Sequence, residues 1–218
     1  MNYEQYLFGN NLYSYQETRG CMRIGVISIQ GNVEEHVEAL KRALRQAKLE
    51  AEIVKIKHKG IVPACDALIL PGGESTTLGK LMELEGISSE IRKAANSGIP
   101  VMGTCAGLVL LAKHGDEQVE KTKQSLLSLM DVRVNRNAFG RQKESFEALV
   151  DFKGLTQPFN AIFIRAPCII EAGKGVEILS TYRGHIVAAR QKNLLALAFH
   201  PELTEDLRIH EYFLEMIR

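Results

Sequence analysis

From Arg23 onward, short apolar runs alternate with longer stretches whose apolar positions recur at helical spacing. Arg23-Ile24-Gly25-Val26-Ile27-Ser28-Ile29 reads as a strand. A turn at Gln30-Gly31-Asn32 follows, then a helix in which Val33, Val37, Leu40, Leu44 and Ala47 share one face. Asn32 stands where a helix N-cap is wanted, with Glu35 in the matching capping-box position. Strands are expected over 53–56 and 67–70, helices through 78–82 and 87–95, and a further strand over 100–103. Apolar strands separated by amphipathic helices indicate a mostly parallel central sheet flanked by helices, an α/β three-layer fold of flavodoxin-like type.

The second half is richer in strands, expected over 129–134, 146–151, 161–164, 176–181, 186–189 and 194–199, with Gly-containing turns between them. These are expected to extend the sheet with antiparallel strands, and a helix over 205–217 closes the chain. Residues 1–21 carry four of the six tyrosines among Asn, Gln and Ser, and read as an appendage to a single domain over 22–218 that begins at Met22.

Composition narrows the function classes. With 27 Lys and Arg against 26 Asp and Glu, nothing in the charge favours nucleic acid or an anionic membrane surface. No apolar run approaches the roughly 18 residues that span a bilayer. Cys21, Cys65, Cys105 and Cys168 lack metal or redox spacing, which points to a reducing, cytoplasmic setting.

The chemistry centres on Gly103-Thr104-Cys105-Ala106-Gly107, which follows an apolar strand and opens a helix-like stretch, Leu108-Val109-Leu110-Leu111-Ala112. This is the cysteine form of the nucleophile elbow. Small residues on both sides allow strand and helix to approach closely, and the free N–H groups of the helix start favour a thiolate. A thiolate needs a base and a group to orient that base. Ala198-Phe199-His200-Pro201-Glu202 supplies both at a strand end, so Cys105, His200 and Glu202 are the candidate catalytic set. The N–H of Ala106 and the Gly72-Gly73 turn are candidate oxyanion donors. Ser75 or Thr76 is expected to cap the helix after that turn. No third ligand is spaced to join His200 and Glu202 in a metal site, and the chemistry calls for no cofactor.

The elbow, the loop Leu70-Pro71-Gly72-Gly73-Glu74-Ser75-Thr76 and the segment Phe199-His200-Pro201-Glu202-Leu203-Thr204 together resemble the class I, triad-type glutamine amidotransferases. Within that class the chain is most similar to the glutaminase subunits of pyridoxal 5'-phosphate synthases. Ile29-Gln30-Gly31, Arg136-Asn137-Ala138-Phe139-Gly140-Arg141-Gln142, Ser145-Phe146-Glu147 and Phe163-Ile164-Arg165-Ala166-Pro167 carry this narrower similarity. It runs from Met22 to the C-terminus. The resemblance implies hydrolysis of L-glutamine to glutamate and ammonia through a thioester, with the ammonia passed to a synthase subunit in a hetero-oligomer. It also implies that Gly73, Glu74, Ser75, Arg136, Ile164 and Arg165 contact the glutamine. Which arginine meets which part of the substrate stays open. The competing readings are a glutaminase serving another synthase, such as that of histidine biosynthesis, a non-catalytic subunit of the same fold, and a cysteine peptidase of similar architecture.

Overall fold

The computed structural model describes residues 21–136, 139 and 145–217. The appendage expected over 1–21 lies outside the described residues except for Cys21. Most of the segment from Asn137 to Gln142 lies outside them as well.

Strand β1 (Met22–Ile27) leads through Gln30-Gly31-Asn32 into helix α1 (Val33–Ala47), then β2 (Ala51–Ile56) and β3 (Ala67–Leu70). Helices α2 (Ser75–Leu84) and α3 (Ile87–Asn96) precede β4 (Val101–Thr104), and the elbow helix α4 (Ala106–Leu111) follows it. The order β2-β1-β3-β4 is parallel throughout, and it continues in parallel through β12 (Leu194–Leu197). Every residue of β3, β4 and β12 is buried, as expected for strands covered on both faces. Helix α1 turns Val33, His36, Val37, Leu40, Ala43 and Leu44 onto the sheet. The expected face thus holds, with the addition of His36, Ala39 and Ala43, and without Ala47.

Beyond β12 the sheet becomes largely antiparallel, through β11 (His185–Gln191), β9 (Cys168–Ala172) and β6 (Met130–Asn135). A parallel edge strand, β5 (Ala112–His114), ends it, and β10 (Glu177–Tyr182) pairs with β11. Ala112, read with the elbow helix, is the first residue of β5, because the helix ends at Leu111. Helix α5 (Glu117–Thr122) and β9 were not expected from the sequence, and the closing helix α6 is shorter than expected, Arg208–Glu215.

Two expected extensions of the main sheet form a separate antiparallel pair instead: β7 (Phe146–Val150) with β8 (Phe159–Phe163). Their aromatic rings favour packing face-on. Phe146 stacks on Phe163 at 4.8 Å between centroids, both stack on Tyr182, and Phe159 and Phe163 contact Phe199. The pair remains tied to the main sheet, since His200 donates its backbone N–H to the Ile162 carbonyl at 2.8 Å.

Candidate active site

The carboxyl ends of β1, β3, β4 and β12 meet at one edge of the sheet, where ligands of parallel α/β folds bind. A cavity of about 430 Å³ opens there. Cys105, Ala106, His200, Gly73, Glu74, Ser75, Arg136, Ile164 and Arg165 all line it. Of the expected site residues Glu202 lies outside the lining, buried beside His200, as does Gly72 of the turn.

Cys105 occupies the N-cap position of α4 with φ 49° and ψ −100°, a region that side chains other than glycine rarely adopt. Such a conformation costs about 1–3 kcal/mol and holds the sulfur up from the turn. Both elbow glycines are required by close approach. A Cβ on Gly103 would lie 2.6 Å from the Gly107 carbonyl, and one on Gly107 would lie 2.2 Å from that of Leu70. Gly72 answers a similar need beneath the pocket, where a Cβ would sit 2.5 Å from the His200 ring. The sulfur is 9% exposed as part of its residue and lies 3.8 Å from the Ile164 carbonyl oxygen.

His200 faces Cys105 on one side and Glu202 on the other, with Nδ1 2.7 Å from Glu202 Oε1. Burial alone would push the imidazole down. The hydrogen bonds to Cys105 and Glu202, with the two negative charges behind them, overcome it and raise its pKa to about 10. Glu202 would likewise be pushed up by burial, but the adjacent His36 and His200 hold it ionised, far below the usual carboxylate range. The arrangement sets the Cys105 sulfur beside a protonated imidazole that a buried carboxylate supports.

The loop after β3 differs from expectation in its cap. Glu74, rather than Ser75 or Thr76, is the N-cap of α2, accepting from the Thr76 N–H at 3.1 Å and the Thr77 N–H at 2.7 Å. Burial pushes its carboxyl up, and those hydrogen bonds outweigh this and hold it below its ordinary value. Asn32 occupies the N-cap position of α1 but makes no capping hydrogen bond. Its side-chain amide donates instead to Glu202 Oε1 at 3.2 Å.

Arg136 lines the same pocket. Its Nη1 donates to Gln124 Oε1 at 2.8 Å and to Thr76 Oγ1 at 3.2 Å, and Nε lies 3.7 Å from Asp116 Oδ1. Nη2 is buried and has no hydrogen-bond partner among the described residues. The guanidinium is thus fixed along one edge, leaving a donor for an incoming acceptor. Arg165, in the same lining, is exposed with φ 44°.

Sequence reasoning passed over three residues here. Gln30 lines the pocket beside Gly73, and its buried Oε1 has no hydrogen-bond partner among the described residues. Asn32 and His36 both reach Glu202. His36 was legible as an inner-face residue, since it lies at helical spacing from Val33 and Leu40.

Comparison with known proteins agrees with this geometry. The model of the SNO glutamine amidotransferase family matches residues 26–218. A pyridoxal 5'-phosphate synthase subunit PdxT of Methanococcoides burtonii is 64% identical over 90% of this chain and 99% of its own length. Its counterpart in Archaeoglobus fulgidus is 58% identical over 89% and 98%. A solved structure described as a glutamine amidotransferase superposes with a TM-score of 0.78 at 44% identity, covering 89% of this chain and 98% of its own. The PurLQS structure from Thermotoga maritima, at 14% identity and a TM-score of 0.63 over 91% of this chain and 99% of its own, shares the fold. The chain belongs to the SNO glutamine amidotransferase family, and it is a glutaminase.

Proposed function

We propose that Cys105, His200 and Glu202 carry out the hydrolysis of L-glutamine, and that the ammonia released is delivered to the synthase subunit of a pyridoxal 5'-phosphate synthase. The observation that carries this reading is the meeting of Cys105 and His200 at the rim of a cavity that also holds Arg136 and the Gly73 turn, with Glu202 buried 2.7 Å from His200 Nδ1.

The Cys105 thiolate attacks the side-chain amide carbon and a C–S bond forms. The developing oxyanion is received by the Ala106 and Gly73 N–H groups. As the C–N bond breaks, His200 gives its proton to the departing ammonia, leaving a thioester. The sulfur then carries no charge, so the imidazole loses one of the two partners that raised its pKa and becomes free to take a proton from water. The resulting hydroxide attacks the thioester, the C–S bond breaks, and glutamate leaves with the thiolate restored.

Substrate contacts follow from the lining. Nη2 of Arg136, without a hydrogen-bond partner among the described residues, supplies a donor for the α-carboxylate, with Arg165 in the same lining. Glu74, ionised and fixed by its cap, offers charge to the α-amino group, and Gly73, Ser75 and Ile164 close the remaining walls. The relatives named as pyridoxal 5'-phosphate synthase subunits support a hetero-oligomeric complex. Four free cysteines fit a cytoplasmic setting, and no helix among the described residues is long and apolar enough to cross a membrane. We read residues 22–218 as the glutaminase domain, a reading supported by the family match over residues 26–218.

Glutamate release from L-glutamine, measured for the chain alone and with a pyridoxal 5'-phosphate synthase subunit, tests the reading. Turnover that rises with the partner and vanishes in Cys105→Ala supports both parts. Turnover indifferent to the partner removes the pathway, and turnover that survives in Cys105→Ala removes the mechanism.

A further inference from the structure

Glu202 is a buried carboxylate whose two oxygens meet different elements. Oε1 accepts from His200 at 2.7 Å and from the Asn32 side-chain amide at 3.2 Å. Oε2 faces His36 Nε2 at 3.5 Å, and the side chains of both residues are fully buried. Oε2 has no hydrogen-bond partner among the described residues, and His36 Nε2 is the group that stands in front of it. A buried carboxylate oxygen without a donor is costly, so whatever faces it matters.

The state of His36 follows from its surroundings. Its Nε2 lies 3.0 Å from Thr104 Oγ1, while Nδ1 has no hydrogen-bond partner among the described residues. A proton on Nδ1 would be a buried, unpaired donor and would turn the Nε2 lone pair toward the carboxylate. A proton on Nε2 faces both the Thr104 hydroxyl and Glu202. Burial disfavours a second proton on the ring, and His210 packs edge-on against it at 5.9 Å, offering no charge to balance one. His36 is therefore the neutral Nε2–H tautomer, with its donor aimed at the two groups in front of it.

We propose that the first turn of α1 is a seat for the Glu202 carboxylate, in which Asn32 and His36, one helical turn apart, are positioning residues for the glutaminase reaction. Asn32 fixes Oε1 beside His200. His36 serves Oε2 and ties it to Thr104, the residue before the nucleophile. One rigid helix start thereby registers the carboxylate against both the base and the cysteine strand. The assignment rests on the reading that Cys105, His200 and Glu202 do the chemistry. It also explains why an asparagine at an N-cap position spends its side chain away from the helix.

The test is steady-state glutaminase kinetics on the full chain with its synthase partner. His36→Phe keeps a planar ring without a donor, and His36→Gln keeps an N–H at similar reach. His36→Phe should lower kcat about 10- to 100-fold with KM unchanged, and His36→Gln should recover most of the loss. If His36→Phe does not fold, His36→Met takes its place with the same expectation. A folded donor-free variant with wild-type kcat, or a His36→Gln protein as slow as it, overturns the role of His36. Asn32→Ala should also lower kcat with KM held, whereas a rise in KM alone would assign Asn32 to the glutamine and overturn its part. Wild-type turnover must first be abolished by Cys105→Ala; survival there counts against the triad, not the seat.

Discussion

Leu197 lies directly beside Thr104 in the parallel pairing of β12 with β4, and the Cys105 amide extends that ladder by donating to the Leu197 carbonyl at 2.8 Å. Two segments far apart in sequence therefore leave the sheet together. One turns up at Cys105 and the other runs on to His200, so register alone brings thiol and imidazole to the same rim. Gly72, from β3 on the other side of β4, fills the space beneath them, where only glycine fits against the His200 ring.

The strained backbone at Cys105 should separate activity from stability. Cys105→Gly removes the nucleophile and also the Cβ that makes φ 49° unfavourable. It should abolish glutamate release while raising stability by about 1 kcal/mol, a Tm rise of about 2–4 °C for a chain of this size. Thermal unfolding of the two proteins checks this; a lower Tm in Cys105→Gly would mean that the turn is not under strain.

Two glycines predict opposite outcomes for the same substitution. Gly107→Ala places a Cβ 2.2 Å from the Leu70 carbonyl, and neither backbone can yield without opening the elbow. Loss of turnover and about 3 kcal/mol of stability are expected. Gly98 has φ +98° but open space around its missing Cβ, so Gly98→Ala should cost only about 1 kcal/mol of backbone strain and leave turnover intact. Urea unfolding with glutaminase assays decides, and equal losses at the two positions would contradict the packing argument.

Much of this site could be read from local pattern, because an elbow and a His-Pro-Glu strand end are short-range arrangements of glycine, nucleophile and base. The parallel half was legible for the same reason, since each strand and helix announces itself by periodicity. Asn32 and His36 escaped because their partner, Glu202, is brought to them only by the tertiary fold. Locally, Asn32 fits a cap and His36 an inner helix face. Helix α5 buries only Val119, too little for a period to show, and β9, directly behind Pro167, has two buried residues followed by three exposed ones, with no alternation to read. Glu74 took the cap expected of Ser75 because its longer carboxylate reaches two amides at once.

Arg136 should govern binding more than chemistry. Gln124 and Thr76 fix one nitrogen, and the second terminal nitrogen has no hydrogen-bond partner among the described residues, which on the proposed reading leaves it for the substrate. A lysine offers one point charge and cannot serve both edges. Arg136→Lys should raise KM for glutamine about 10- to 100-fold and change kcat by less than about 3-fold. An unchanged KM would place the α-carboxylate elsewhere, with Arg165 the next residue to substitute.

Acid should destabilise the fold through histidines behind the site. His210 is fully buried, and neither ring nitrogen has a hydrogen-bond partner among the described residues. Burial, then the neighbouring His36, lowers its pKa from 6.5 to about 3. The unfolded chain takes up a proton below 6.5 that the folded chain refuses, so this contribution is complete above 6.5 and is lost as the pH falls toward 3. Between pH 6.5 and about 5 the loss from His210 is about 2 kcal/mol. His36, lowered chiefly by burial, acts in the same direction. The raised pKa of His200 contributes no slope in this window, since its imidazole is protonated in both states below 6.5. His210→Phe keeps a ring in the same space without a titrating nitrogen. Its urea unfolding free energy should therefore fall by about 2 kcal/mol less than the wild type over that interval. Identical pH slopes for the two proteins would show that His210 is protonated without opening the core.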